Sequence, residues 1–359
     1  MMAAPACRRK GARAVKLMPM NSIDRTAQRL AFVNAHLREA APAVQPASAD
    51  ASFRSYWRVT AGGSDLILMD APPDKEPIAA WLDIAARLRT AGVHAPEILA
   101  SDDRLGFVLM EDLGTRTYLP ELNDASADAL YADALDALAR MQARADTAGL
   151  PPYDRARLVA EMELLPEWFL HRHLGITPSC AEWDVIEAAF TFLVHAALEQ
   201  PRAFVHRDYH SRNLLVTAAN SPGVIDFQDA VAGPIAYDLV SLLRDCYIAW
   251  DEARVDAWME RHRLNLRHTG LLGASVDHTV FRRWFDLIGV QRHVKVLGIF
   301  CRLWYRDGKE QYLHDLPMVW HYFLGVARRY PELAAFANLL EGAVQGRDLT
   351  RPRAEAATA

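Results

Sequence analysis

The chain has 359 residues, 51% hydrophobic and 24% charged, and its 40 Lys and Arg against 45 Asp and Glu leave a net charge of −5. That is an ordinary globular balance with enough apolar material for a large core, and the length suits two domains of about 100–200 residues each. The mild acidity argues against nucleic-acid or anionic-membrane partners, no uncharged apolar run reaches the ~18 residues of a membrane helix, and Cys7, Cys180, Cys246 and Cys301 are too scattered for a zinc site or a disulfide framework.

Residues 1–20 are basic but lack the apolar stretch of a signal peptide and read as a disordered extension, with Met20 a second candidate start. Together these features predict a soluble cytoplasmic protein. Residues 22–40 carry Leu30, Phe32, Val33 and Leu37 near one face behind a Ser22 cap, which predicts a helix. The Pro/Ala/Ser composition of 41–51 reads as a linker. Aromatic and β-branched residues at 53–60, the Gly62-Gly63 turn and the apolar run 65–70 predict a hairpin. A helix over 77–91 and short strands at 97–100 and 106–111 complete a β-β-α-β-β order over 50–113. Beyond Gly114 the pattern turns helical, with candidates at 124–146, 155–174 and 181–199, then an apolar 203–205, and helices dominating from Tyr237 to about 342. The predicted division is a nucleotide-binding lobe at 21–113, a mostly helical lobe at 114–346 and a frayed polar tail at 347–359.

The chemistry concentrates in HRDYHSRNLLV at 206–216 and VIDFQDA at 224–230. A turn at 220–223 joins two short apolar strands, so a hairpin brings Asn213 and Asp226 together at one end. Two oxygen-bearing side chains there suit Mg²⁺, which prefers oxygen ligands and shares its sphere with phosphates. Asp208 stands in the loop feeding the hairpin. Phosphoryl transfer needs neutralised phosphates and an oriented hydroxyl rather than covalent help, and a carboxylate that accepts the hydroxyl proton meets the second need.

These residues resemble the aminoglycoside phosphotransferase and choline-kinase branch of the protein-kinase-like fold. His206 to Asn213 resembles its catalytic loop, Ile225-Asp226-Phe227 its metal-binding motif, and 233–239 its G-P-x-x-Y-D-L segment. The resemblance covers roughly residues 22–340 and implies an α+β, two-lobed fold with a small antiparallel sheet and a helical C-lobe. It further implies ATP as co-substrate, Mg²⁺ held by Asn213 and Asp226, and Asp208 as base. His206 and Asp238 would support the loop, and the backbone of Met110, Glu111, Asp112 and Leu113 would meet the adenine. The strings MDAPPDKE, GVIDFQDAVAGPIAYDLVSLLRDCY and QRHVKVLGIFCRLWYRDGK are similar to bacterial anomeric amino-sugar kinases. That likeness implies transfer to the C1 hydroxyl of N-acetylmuramate and N-acetylglucosamine in peptidoglycan recycling.

Two features depart from the pattern. Residues 51–58 contain no glycine, and the strand that should supply a phosphate-pairing lysine reads LILMD, leaving Met69 or Asp70 there. Phosphate grip then falls to backbone amides around 52–55, including Arg54 and Ser55, or to the cations Arg54, Arg58 and Lys75; the competing reading of these arginines is a solvated strand face. For the acceptor, Tyr209, His210 and Asp229 flank the site in sequence. Gln291, Arg292, His293, Arg302 and Arg306 interrupt the apolar segment 288–306, either as surface polar residues or as a sugar pocket in which an arginine meets the lactyl carboxylate. Trp284, Trp304 and Trp320 fit core or pocket wall. The rival functions are a kinase for an aminoglycoside, choline, homoserine or other small alcohol, and a nucleotide-binding regulator without turnover.

Overall fold

The computed structural model describes residues 22–37, 42–49 and 53–353; the expected extension at 1–20 lies outside them. Two compact units divide the chain: Met1–Ile78 with Ile98–Asp112, and Ala79–Glu97 with Leu113–Ala359.

In the first unit, helix α1 (Ser22–His36) precedes strands β1 (Ala43–Ala49), β2 (Ser55–Ala61) and β3 (Ser64–Asp70). Helix α2 (Ala79–Thr90), which groups with the second unit, intervenes before β4 (Ile98–Asp102) and β5 (Phe107–Glu111). The strands form one antiparallel sheet in the order β1-β2-β3-β5-β4. The segment read as a linker is therefore an edge strand. Ala43 pairs with Thr60 and Ala49 with Ser55, with an irregularity between Pro46 and Ser48. Pro46 cannot donate to a ladder, which an edge position tolerates; small residues of low strand propensity hid a strand held by its aromatic neighbour β2.

Phe32 and Val33 of α1 pack with Val59, Leu68, Phe107 and Leu109 of the sheet. Period-two alternation puts Asp70 on the face of Leu68, toward α1, and Met69 on the other. Asp70 is buried there, accepting from Arg25 Nε at 2.9 Å and Arg29 Nη1 at 2.8 Å. The guanidinium of Arg29 lies 3.9 Å from the Trp57 ring centroid and that of Arg25 4.4 Å from Phe107. A buried carboxylate without such partners would be costly, so this clasp fixes α1 to the sheet.

The second unit continues through α3 (Tyr118–Glu121), α4 (Ala127–Arg144) and α5 (Arg155–Met162), then a π-helix (Leu165–Leu174). The single helix expected over 155–174 is thus two pieces. Pro166, which has no N–H to donate, sits in the first turn of the second piece. Helix α6 (Cys180–Leu198) opens with a Ser179/Glu182 capping box. Strands β6 (Arg202–Val205), β7 (Leu214–Leu215), β8 (Gly223–Val224) and β9 (Val231–Pro234) pair as β6 with β9 and β7 with β8. Helices α7 (Tyr237–Leu243), α8 (Glu252–His268), α9 (His278–Tyr305), α10 (Leu316–Ala327) and α11 (Ala334–Val344) complete the unit. The 28-residue α9 is the spine: every residue from Trp284 to Gly298 is buried, so all its sides are covered there. Gly298 lets it approach closely, since a Cβ there would lie 2.4 Å from the Leu164 carbonyl carbon. The tail expected to fray is instead held over its first turn, where Leu349 is buried and its carbonyl lies 3.0 Å from His173 Nε2.

Candidate functional site

Strand β6 delivers the chain into His206, and the first turn of α7 presents Asp238 to the start of the 206–213 loop. Asp238 is fully buried and accepts the backbone N–H of His206 at 2.7 Å and of Arg207 at 2.9 Å. Burial pushes its carboxyl up to about 7, against the pull of those two amides. His206 Nε2 donates to the Ile225 carbonyl at 3.1 Å, which leaves Nδ1 to accept the Asp208 N–H at 3.3 Å. Burial pushes His206 down to about 4, so it stays neutral and ties the loop to the second strand of the hairpin. Arg207 and Asp226 have positive φ of 78° and 62°. Strained non-glycine backbone of this kind persists only where the surroundings over-determine it, commonly at functional sites.

The β7–β8 hairpin forms as expected. Leu214 pairs with Val224, and Ile225 N–H donates to the Asn213 carbonyl at 3.1 Å. Asn213 Nδ2 donates to the Asp208 carbonyl at 2.9 Å and to Asp226 Oδ2 at 3.3 Å. The structure therefore brings Asp208, Asn213 and Asp226 together. With its nitrogen so engaged, Asn213 keeps an Oδ1 that accepts from no protein donor among the described residues. Gln228 Nε2 orients Asp226 by donating to Oδ1 at 2.9 Å. No group of three or more His, Cys, Asp or Glu able to hold a metal occurs among the described residues. An amide oxygen beside one carboxylate fits Mg²⁺, which takes few protein ligands when phosphates and water complete its sphere.

Burial works to raise the Asp208 pKa, yet Lys295, then His210, Arg292 and Arg207 outweigh it and hold the carboxyl below its usual range. Lys295 and Arg207 are themselves anchored. Glu161 of α5 pairs with Arg207, with Lys295 Nζ at 3.3 Å and with the Tyr153 hydroxyl, while Lys295 Nζ also donates to the Tyr237 hydroxyl at 3.1 Å. Asp245 fixes the other end of the loop, accepting from the Ser211 N–H at 2.9 Å and from its hydroxyl. Lys295, Glu161 and Asp245 escaped the sequence reading. Lys295 had a signal: it lies one helical turn beyond Gln291 and Arg292 in an otherwise apolar helix.

The other candidates divide. His210 is half-buried, its ring edge-on to Tyr247 at 5.5 Å and its Nδ1 without a partner among the described residues. Arg292 is buried and donates to Cys246 Sγ at 3.4 Å, and Gln291 is buried with neither amide atom bonded. Asp229 is exposed. Tyr209 is corrected to a core residue: it is fully buried, and its hydroxyl donates to the Ala134 carbonyl at 2.8 Å. Its position next to Asp208 misled, because successive residues of a turn point apart. Arg306 is corrected to a surface residue, exposed and donating through Nε and Nη2 to Asp307 at 2.7 and 2.9 Å.

In the first unit, Arg58 is neither free for phosphate nor simply solvated, since its Nε meets Asp112 Oδ2 at 2.5 Å. Arg54 is buried, 3.4 Å from Glu76. Ser55 Oγ accepts from Trp57 Nε1 at 3.0 Å. Met69 is buried opposite the Asp70 clasp, so neither residue replaces the missing lysine. Met110 and Glu111 end β5, Asp112 closes the first unit and Leu113 opens the second.

A five-stranded antiparallel sheet, a largely helical second unit and an Asp/Asn/Asp constellation on a loop and hairpin define a phosphotransferase of protein-kinase-like fold. The "Phosphotransferase enzyme family" model matches residues 43–270, and the chain belongs to that family. It is 47% identical over 84% of its length to 88% of the N-acetylmuramate/N-acetylglucosamine kinase of Pseudomonas aeruginosa. It is 44% identical to the enzyme of the same name from Pseudomonas putida (82% of this chain, 86% of that one), and 42% to that from Neisseria meningitidis serogroup B (82% and 88%). Among solved structures, an ethanolamine kinase of Plasmodium vivax aligns at TM-score 0.61 and 10% identity over 85% of this chain and 90% of its own. An ADP-bound aminoglycoside phosphotransferase, APH(2'')-Ib, aligns at TM-score 0.56 and 14% identity over 83% and 99%. These two similarities concern the fold. No described helix is long and apolar enough to cross a membrane.

Proposed function

We propose that the protein transfers the γ-phosphoryl group of ATP to the anomeric hydroxyl of N-acetylmuramate and N-acetylglucosamine, within peptidoglycan recycling. The observation that carries the chemistry is the convergence of Asp208, Asn213 and Asp226, with Asn213 Nδ2 bridging the main-chain carbonyl of Asp208 and the carboxylate of Asp226 at 2.9 and 3.3 Å. The acceptor rests on relatives of that name at 42–47% identity over more than four-fifths of this chain.

Asp208 is the group that orients the acceptor hydroxyl and takes its proton. The surrounding cations keep it ionised, so it can accept a hydrogen bond throughout the neutral range. Asn213 Oδ1 and Asp226 are the groups that would hold Mg²⁺. When bound, that ion neutralises charge developing on the phosphates. His206, Asp238 and Asp245 hold the loop so that the base does not drift from the reacting hydroxyl, where a misplacement of about 1 Å can cost ~100-fold in rate.

The test incubates the protein with MgATP and a panel of N-acetylmuramate, N-acetylglucosamine, aminoglycosides, choline and homoserine, and locates new phosphate by ³¹P NMR. An α-1-phosphate on the two amino sugars is expected. Phosphate on C6, or turnover of only an aminoglycoside or amino alcohol, would refute the reading.

A further inference from the structure

Five arginines are buried among the described residues: Arg29, Arg54, Arg244, Arg263 and Arg292. Four meet a carboxylate, Arg29 on Asp70 at 2.8 Å, Arg54 on Glu76 at 3.4 Å, Arg244 on Asp286 at 2.7 Å and Arg263 on Glu260 at 2.6 Å. Arg292 does not. It is 4% exposed, its Nη1 reaches only the Cys246 sulfur at 3.4 Å, and its Nε has no partner among the described residues. Thiol sulfur is a weak acceptor. A guanidinium removed from water with no carboxylate in hydrogen-bonding contact is expensive, and an anionic ligand would supply the missing partner.

The neighbours of Arg292 say which ligand. Cys246 lies between Asp245, which grips Ser211 of the catalytic loop, and Tyr247, whose ring meets His210. The guanidinium also acts on the Asp208 carboxyl, which places it near the group that would meet the acceptor. No hydrogen bond joins it to Asn213 or Asp226, the pair suited to the metal and its phosphates. Lys295, one turn along α9, is already committed to Glu161 at 3.3 Å, and Arg306 to Asp307 at the surface. A carboxylate and a terminal phosphate are both oxyanions a guanidinium can bind through two parallel hydrogen bonds.

We propose that Arg292 receives the carboxylate of N-acetylmuramate and sets the preference of this protein for that sugar over N-acetylglucosamine, which lacks the lactyl group. The inference rests on the amino-sugar reading above. A planar two-point contact fixes the sugar as well as attracting it, so part of the benefit appears in turnover.

The experiment compares kcat/KM for both sugars in the wild type, Arg292→Gln and Arg292→Lys, and for the methyl ester of N-acetylmuramate in the wild type. In Arg292→Gln the ratio of N-acetylmuramate to N-acetylglucosamine specificity should fall roughly 30-fold or more, the usual consequence of truncating one member of a buried charge pair. Arg292→Lys, which keeps the charge but not the fork, should lie between. The ester should reproduce the loss in the unmutated protein, so the outcome does not depend on a variant folding. Equal losses on both sugars would assign the guanidinium to phosphate or to Asp208 and overturn the inference alone, as would an ester turned over as well as the acid. A wild type inert toward both sugars would overturn the functional reading and this inference with it.

Discussion

Replacing Asp238 by Asn separates holding the fold from holding the catalytic loop. Asp238 anchors two consecutive amides, those of His206 and Arg207, directly before Asp208. Asn offers one oxygen and one NH₂, so at least one amide N–H would face another donor, a loss of about 1–3 kcal/mol for a buried unsatisfied group. The opposing contribution is of similar size. Burial raises the Asp238 pKa from 3.8 to about 7, and at ~1.4 kcal/mol per unit the ionised carboxylate carries on the order of 4 kcal/mol of penalty that a neutral amide escapes. The two nearly cancel, so Tm should move by only a few degrees. Nothing cancels for catalysis: with one anchor gone the loop shifts, and kcat should fall about 10- to 100-fold with a smaller change in KM. Thermal melting and steady-state kinetics on the same preparation read both. Wild-type kcat would refute the anchoring role, and a collapse of Tm beyond about 10 °C would refute the energetic argument.

The geometry carries three further expectations. Gly298→Ala should destabilise by several kcal/mol or abolish folding, because its Cβ would lie within 2.6 Å of three Leu164 atoms, two of them backbone; solubility and melting check this. Tyr209→Phe should cost about 1 kcal/mol through the lost bond to Ala134 while leaving KM for the acceptor unchanged, and a raised KM would restore Tyr209 to the site. Acid should destabilise the protein below about pH 6.5. Burial holds His173, His206, His210, His262 and His293 below the ordinary histidine range, with His206 at about 4 and His262 at about 3. The unfolded chain therefore binds protons that the folded chain refuses, and each histidine removes on the order of 1 kcal/mol per pH unit between 6.5 and its own folded value. Asp238 works oppositely, being protonated more readily in the folded state as pH falls through about 7. Denaturation midpoints that stay flat from pH 7 to 5 would contradict this balance.

The legible parts of the molecule were those with local causes. The hairpin order, the Gly62-Gly63 turn and the Asp208–Asn213–Asp226 constellation come from spacing that a short β-hairpin converts directly into proximity. Strand β1 was illegible because its pairing depends on the partner strand rather than on its own residues, Pro46 among them. Tyr209 and Arg306 could not be sorted by sequence, since neighbours in a turn or at a helix end diverge in space; only the bonds to Ala134 and Asp307 decide them. The support from Glu161 and Lys295 joins residues 134 positions apart, and no local pattern links them. Nor does any local pattern mark Arg292 as the one arginine, among the buried arginines described, with no carboxylate in hydrogen-bonding contact.

The turnover of Asp208→Asn with MgATP and N-acetylmuramate, measured beside nucleotide binding to the same variant, tests the role of Asp208 most directly. A base at this position requires near-normal nucleotide binding with kcat lower by orders of magnitude. A variant that phosphorylates the sugar at the wild-type rate would contradict it.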